Sequence, residues 1–358
     1  MSGDTTVFQQ HSAANPLTFS LLRLLVDGKF HSGEKLAQQL GISRASVSNA
    51  LRGMESLGLA LYKIRGRGYC LSNPPQWLNA TSVAHALGEQ APYFKIEILD
   101  SAPSSNTLLL QRAALGAPSG NVLAVEWQSG GRGRMGRIWH AGLGNALTFS
   151  LLWRFEQGLS ALSGLSLAAG IALVRALHAL GVVSAQLKWP NDVLGKRGKL
   201  AGILVEAQGD MLGPSAVVIG IGLNLSLPDN LLAQINQPAT SLKEMVATQP
   251  GIKIPERNIL LATILRELHG VLLEFSRYGF APFQAEWESH HALHNQPVCL
   301  SLPDGTSISG IARGITENGA LILETSSGRK IFNSGEIGFT ELWAPLKIQN
   351  SKHDYVAN

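Results

Sequence analysis

Arg132, Arg134 and Arg137 fall within "GGRGRMGRIWH" (residues 130–140), where glycines separate the cations and no acid is present. Lys188 and Lys199 lie in a second dense segment, "LKWPNDVLGKRGKL" (187–200), whose single acid is Asp192. Cations at this density suit an anionic reaction centre. Guanidinium forks bind phosphate oxygens, and ammonium groups offset charge that develops during phosphoryl transfer. Asn224 ends an apolar run, "SAVVIGIGLN" (215–224), where a side chain could read the edge of a ligand.

Gly131, Gly133 and Gly136 fit G-x-G-x-x-G. A dinucleotide loop must follow a strand and then open a helix whose N-terminus holds the pyrophosphate. "VLAVEWQ" (122–128) reads as the strand, but the chain runs on into "LTFSLLW" (147–153), a second strand, so the dinucleotide reading fails. An arginine loop between two strands remains. It is expected to be mobile until a ligand arrives, then to fold over a phosphate-bearing species and exclude water. "AQLKW" and "KLAGILVEA" read as strands with "PNDVLGKRG" turning between them, which sets Lys188 and Lys199 beside one turn. A second mobile loop is expected over 227–245. His290, His291 and His294 have metal-like spacing but no partner set of Cys or carboxylates, so a surface helix or loop end is expected there.

These groups need elements to hold them. "LTFSLLRLLVDGKF" (17–30) predicts a helix with Phe19, Leu22, Leu25 and Val26 on one stripe, ended by Gly28. A helix-turn-helix follows. Ser32 caps Glu34–Leu40, Gly41 supplies the turn, and Ser43 caps a second helix running to about Leu57. Ala37, Ile42, Val47, Leu51 and Met54 form its inward set. Ser43, Arg44, Ser46, Ser48, Asn49 and Arg52 lie outward, suited to base edges and phosphates. Arg65 and Arg67 sit in a basic hairpin, the wing. Residues 1–75 hold eight Lys/Arg against four acids, which accounts for the whole net charge of +4 and marks a footprint for a polyanion.

Composition bounds the rest. Cys70 and Cys299 alone build neither a disulfide framework nor a zinc site, which fits a reducing, cytoplasmic setting. The N-terminus lacks the order of a signal peptide. Gly158–Val174 is uncharged, yet shorter than the roughly 20 residues a membrane span needs, and Arg175 and His178 follow it directly, so a buried helix is expected. The expected organisation is an extension (1–15), a winged helix (16–74), a linker (75–82), a central domain (83–292), a small antiparallel barrel (293–344) and a tail (345–358).

"GGRGRMGRIW", "LKWPNDVL", "KLAGILVE", "IGIGLN" and "SGEI" (334–337), in this order behind a winged helix, resemble the bifunctional biotin protein ligases that also act as biotin operon repressors. The resemblance implies an α+β chain: a winged helix-turn-helix, a central mixed α/β ligase domain related to class II aminoacyl-tRNA synthetases, and an SH3-like barrel. It implies activation of biotin by ATP, with Mg²⁺, to biotinyl-5′-AMP, then transfer to a lysine of biotin carboxyl carrier protein. It further implies operator DNA as a partner, a homodimer when adenylate is bound, and no membrane. By position, Ser104, Ser105, Asn106, Gln128, Gly131, Arg132, Gly133, Arg134, Lys199 and Gly202 resemble the biotin site. Arg134, Arg137, Trp139, Lys188, Asn191 and Asn224 resemble the ATP and adenylate site, and Gln237–Leu242 the loop that orders over adenine. Arg132, Lys188, Lys199 and Asp192 resemble the catalytic set, with Asp192 toward Mg²⁺. The chain departs from the pattern at "DSAPSSN" (longer than "DSTN"), at Met135 (often Arg), and at "GFT" after "SGEI", where a basic residue is usual. Two other readings stay open at this point: a DNA-binding metabolite sensor without ligase activity, and a ligase with a non-functional wing. Lipoate ligases share the architecture but lack the winged helix, "GRGRMG" and "KWPND".

Overall fold

The structure is a computed structural model that describes residues 15–249 and 251–338; expectations for the N-terminal extension before Asn15 and for everything after Gly338 lie outside the described residues. The N-terminal module carries α1 (Pro16–Leu24), α2 (Gly33–Leu40) and α3 (Arg44–Ala50), then the hairpin β1 (Leu61–Ile64) and β2 (Gly68–Leu71). Local chemistry sets the breaks. Ser32 Oγ accepts from Lys35 N–H at 3.1 Å, Ser43 Oγ accepts from Ser46 N–H at 3.0 Å, and Gly41 turns in the left-handed region at φ 64°. Two expectations are corrected. Val26 is exposed; Leu21 joins Phe19, Leu22 and Leu25 in the core instead. The second helix stops at Ala50 rather than near Leu57, because Gly53 takes φ 75° and a short 3₁₀ turn, Met54–Leu57, follows.

The central domain runs α4 (Ala80–Leu87), β3 (Lys95–Ala102), α5 (Ser105–Ala114), β4 (Asn121–Gln128), β5 (Ala146–Phe155), α6 (Leu165–Ala179), β6 (Gln186–Lys188), β7 (Asp192–Gly195), β8 (Gly198–Gly209), β9 (Ser215–Asn224), α7 (Asp229–Leu232), α8 (Leu242–Ala247), α9 (Arg257–Tyr278) and α10 (Gln284–Ser289). Its seven strands lie in the order β3-β4-β5-β9-β8-β7-β6, with β3 and β4 parallel and every other pair antiparallel. The segment expected only to turn between Lys188 and Lys199 contains a strand of its own, β7. The sheet is buried on both faces, so its strands read as near-continuous apolar runs. α6 and α9 cover one face, packing Leu173 and Leu265 with Val122 and Ile219; α5 covers the other through Leu109, against Leu123 and Val218. The uncharged stretch at Gly158–Val174 leads into α6, apolar on all sides because it is buried on all sides. No helix among the described residues is long and apolar enough to cross a membrane.

Beyond α10, β10 (Pro297–Ser301), β11 (Ser307–Ile315), β12 (Leu321–Thr325), β13 (Gly328–Phe332) and β14 (Glu336–Ile337) form an antiparallel sheet in the order β13-β12-β11-β10-β14. Its Leu300, Ile315 and Leu323 belong to the same apolar core as α6 and α9. Trp189 Nε1 donates to the Gly319 carbonyl at 3.0 Å, tying this sheet to the strand end that carries Lys188.

Residues 75–82 are not a free linker. Ala80–Ser82 already belong to α4, and the preceding residues are held by a buried ion pair between Arg257 of α9 and Glu126 of β4 at 2.7 Å. Glu126 Oε1 also accepts from Leu78 N–H at 2.6 Å, and Arg257 Nη1 donates to the Gln76 carbonyl at 2.5 Å. The core of the winged helix closes on Trp127 and Leu143 of the central domain.

Candidate active site

A cleft of about 260 Å³ opens above β8 and β9. Alternation along β9 turns Gly220 and Gly222 into it. A Cβ at Gly222 would come within 2.4 Å of the Trp139 indole, and one at Gly220 within 2.1 Å of Asn106 Oδ1, so bare backbone is what admits these side chains. The capped N-terminus of α5 supplies Ser104, Ser105 and Asn106 as one wall, with Gln128 from β4 beside them. Gln128 Oε1 accepts from Ser105 N–H at 2.7 Å.

The cations converge on Asp192. Its Oδ1 lies 2.6 Å from Lys199 Nζ and its Oδ2 lies 3.4 Å from Lys188 Nζ. The register explains this: Lys188 faces Asp192 across β6–β7, and Lys199 starts β8 one hairpin later. Burial pushes the Lys188 ammonium below its ordinary value while Asp192 pulls it back up. Asn191 Nδ2 donates to the Ile203 carbonyl at 2.8 Å and holds the turn. Lys199 Nζ also lies 5.7 Å from the centre of the Trp139 ring.

The arginine loop is folded over this group by its own backbone and by two carboxylates. Gly133 N–H donates to the Arg137 carbonyl at 2.7 Å, and Trp139 N–H to the Gly131 carbonyl at 2.9 Å. Arg132 pairs with Glu206 of β8 at 3.0 Å, and Arg137 pairs with Glu336 of β14. Arg134 lines the cleft, and burial lowers its pKa against the pull of Glu336 and Asp192. In this structure the loop lies folded over the cleft, the covering position expected of it. The glycines serve close approach and turning: a Cβ at Gly131 would lie 2.7 Å from the Trp139 carbonyl oxygen, and Gly136 takes φ 73°. Met135 itself holds φ 54°. The second expected loop meets the start of β8: Lys199 N–H donates to the Pro238 carbonyl at 2.9 Å and Thr240 N–H to the Lys199 carbonyl at 3.0 Å.

Of the residues expected singly for biotin and adenylate, Gly131 and Asn224 do not line the cleft and the others do; of the Gln237–Leu242 segment Gln237 lines it. Asn224 is buried, and its amide donates to the carbonyls of Lys199 at 3.3 Å and Thr240 at 3.1 Å. It clips the second loop to the start of β8. Asp192 faces two ammonium groups, and no set of three His, Cys, Asp or Glu among the described residues could hold a metal ion. The donor set does not fit a resident Mg²⁺; an ion bound through substrate phosphates needs few protein ligands. The expectation of a surface position fails at His291, which is 5% exposed beneath Trp287 while His294 stays exposed. Sequence reasoning missed Glu206, Ser150 and Glu336 as members of this site. The "SGEI" match was the one signal for Glu336.

On the winged helix, Arg44, Asn49, Arg52, Arg65 and Arg67 are exposed, and Lys63 Nζ reaches Ser48 Oγ at 3.3 Å, joining wing to α3. Ser43 is spent on capping, Arg52 donates to Asn49 Oδ1 at 3.0 Å, and Arg67 lies over the Phe30 ring at 4.2 Å.

Residues 98–224 match the Biotin/lipoate A/B protein ligase family, 293–339 the Biotin protein ligase C terminal domain, and 18–70 an HTH domain. The bifunctional ligase/repressor BirA of Escherichia coli (strain K12) is 38% identical over 323 residues, covering 90% of this chain and 97% of that protein. The chain belongs to the bifunctional biotin ligase/repressor family. BirA of Bacillus subtilis (strain 168) is 30% identical across 86% of this chain and 94% of its own length. Among solved structures, the biotin protein ligase from Aquifex aeolicus in complex with biotin and ATP superposes with a TM-score of 0.57 at 27% identity, covering 68% of this chain and 97% of that one.

Proposed function

We propose that the cleft activates biotin with ATP, giving biotinyl-5′-AMP and pyrophosphate, and then passes the biotin to a lysine of biotin carboxyl carrier protein. The observation that carries this reading is one cleft lined by Arg132, Arg134, Lys188 and Lys199, with the two lysines paired to Asp192. In the first step the biotin carboxylate attacks the α-phosphorus and pyrophosphate leaves; in the second the lysine amine attacks the acyl carbon and AMP leaves. Neither step needs a covalent nucleophile from the protein. Each needs fixed positive charge where oxygens gain negative charge, in a site that excludes water from the mixed anhydride. Lys199, close to Asp192 and to Trp139, is placed to meet the carboxylate and α-phosphate, and Lys188 the phosphate tail that carries Mg²⁺. Asp192 keeps both lysines paired before the anions enter. The Trp139 indole, seated over Gly202 and Gly222, offers a flat wall for adenine.

Exposed Arg44, Asn49 and Arg52 with the basic wing support operator binding, with adenylate favouring a homodimer on DNA in a cytoplasmic setting. One incubation tests the enzyme: purified chain, ATP, Mg²⁺ and apo carrier domain, offered biotin or lipoate. Biotin transfer is expected, and its absence overturns the ligase reading. An operator shift that responds to biotin plus ATP tests the repressor; no shift leaves a ligase with an unused wing.

A further inference from the structure

Glu206 has no part in the chemistry described above, yet it stands at one end of a chain of polar side chains running beneath the biotin end of the cleft. Its Oε2 accepts from Asn106 Nδ2 at 2.9 Å, and both its oxygens meet Arg132 Nη2, at 3.1 and 3.0 Å. Asn106 Nδ2 also donates to the Leu204 carbonyl at 3.2 Å. Two acceptors therefore claim the amino group, which turns Oδ1 the other way, toward Ser150 Oγ at 2.5 Å. Ser150 is fully buried and has a single proton to give. That proton goes to Asn106 Oδ1, which can only accept. The 2.7 Å contact between Ser150 and Ser105 Oγ therefore takes the Ser105 proton, in preference to the longer approach of Ser105 Oγ to Gln128 Oε1 at 3.3 Å. Ser105 thereby spends its own proton inward, and an oxygen lone pair faces the cleft. Beside it, Gln128 Oε1 is taken by Ser105 N–H, which leaves the Gln128 amino group facing the cleft as a donor.

We propose that Glu206 is a positioning residue that sets the donor and acceptor polarity of the cleft through Asn106, Ser150 and Ser105. An acceptor-only carboxylate, with the Leu204 carbonyl beside it, sets the direction of the hydrogen bonds downstream of Asn106. The resulting pair, a donor at Gln128 and an acceptor at Ser105, matches a ureido group, which offers one carbonyl oxygen and flanking N–H groups. A neutral amide in place of Glu206 presents either polarity to Asn106, leaves the longer contact with the Leu204 carbonyl as the one fixed acceptor, and so weakens that dictation. This role rests on the biotin-activating reading of the cleft.

The test compares biotin with 2-iminobiotin, in which a nitrogen replaces the ureido oxygen, so that a donor or a basic nitrogen sits where biotin has an acceptor. Adenylation is measured as pyrophosphate release, with kcat/KM for each compound at one pH. Glu206→Gln and, independently, Ser150→Ala are expected to narrow the preference for biotin by roughly tenfold, the worth of one correctly directed hydrogen bond. In Ser150→Ala, which leaves the Glu206–Arg132 pair in place, the KM for ATP is expected to stay near that of the unaltered chain. An unchanged preference in either folded variant overturns the proposal, even where KM rises equally for both compounds, because a merely structural or loop-holding Glu206 gives that pattern. If the unaltered chain adenylates neither compound, the ligase reading itself falls, and the role of Glu206 with it.

Discussion

Asp192 keeps two lysines together that would otherwise repel one another across a buried cleft. Lys188 and Asp192 are 7% and 9% exposed, so removing the carboxylate takes from both ammonium groups an ion-pair partner in a site of poor solvation. Asp192→Asn is expected to cost about 3 kcal/mol of stability, as breaking a buried pair does, read as a fall in the urea midpoint at constant m. Lys199→Ala removes one cation and leaves the Lys188–Asp192 pair. It is expected to abolish pyrophosphate release while shifting that midpoint little; turnover at the unaltered rate in this variant contradicts the assigned role. His291 makes a separate statement about pH. Burial takes its pKa down to about 4, with the His294 charge adding to the effect. The unfolded chain, titrating near 6.5, takes up the proton first. The stability tied to His291 is therefore complete above about pH 6.5 and drains away as pH falls toward 4, by about 3 kcal/mol in total. His291→Phe is expected to flatten the fall of melting temperature across that window. His178 and His269, also lowered by burial, retain a residual slope.

At the scale of elements, the helix-turn-helix and the strands on either side of the arginine loop were legible because their signals are local. Ser32 and Ser43 are caps, Gly41 is a turn, and β4 and β5 are mainly apolar runs. The density of Arg and Lys marked the cleft for the same reason. What escaped depends on tertiary pairing. β7 is four residues long and reads as the middle of a turn until β6 and β8 flank it. Glu206 sits among alternating residues of β8, as a solvent-facing strand carboxylate would, and only the meeting of β8 with α5 and the loop gives it a role. Ser150 is one hydroxyl in an apolar strand. The end of α3 escaped because the run from Ser43 to Leu57 reads as one helix, whereas Gly53 within it takes a left-handed turn and a separate 3₁₀ turn follows. The DNA face yields an expectation of its own. Arg44→Ala is expected to weaken operator binding by roughly tenfold through a lost base or phosphate contact, while Arg65→Ala should lower the salt slope by about one unit across all sequences. Equal losses on operator and random DNA for Arg44→Ala would assign it to phosphate alone.

At the scale of the whole molecule, three regions that the sequence divides by composition share their supports. The arginine loop is held from β8 by Glu206 and from the C-terminal sheet by Glu336, so the cleft is complete only when that sheet is seated. Glu336→Ala is therefore expected to raise the KM for ATP and to speed the leak of adenylate into solution, measured as biotin-dependent AMP formation without carrier. Unchanged leakage would show that Glu206 alone holds the loop.

The winged helix is bound to the rest by more than a tether. Leu57 and Leu59 share a core with Trp127 and Leu143, and Leu143 N–H donates to the Leu57 carbonyl at 2.7 Å. Cutting the chain after residue 74 would thus leave a greasy scar on the ligase, two buried side chains turned out to water beside the entry to its own arginine loop. A truncated gene would make an enzyme prone to clump. A lineage that dropped transcriptional control would first have to repaint that scar with polar residues, starting at positions 127 and 143.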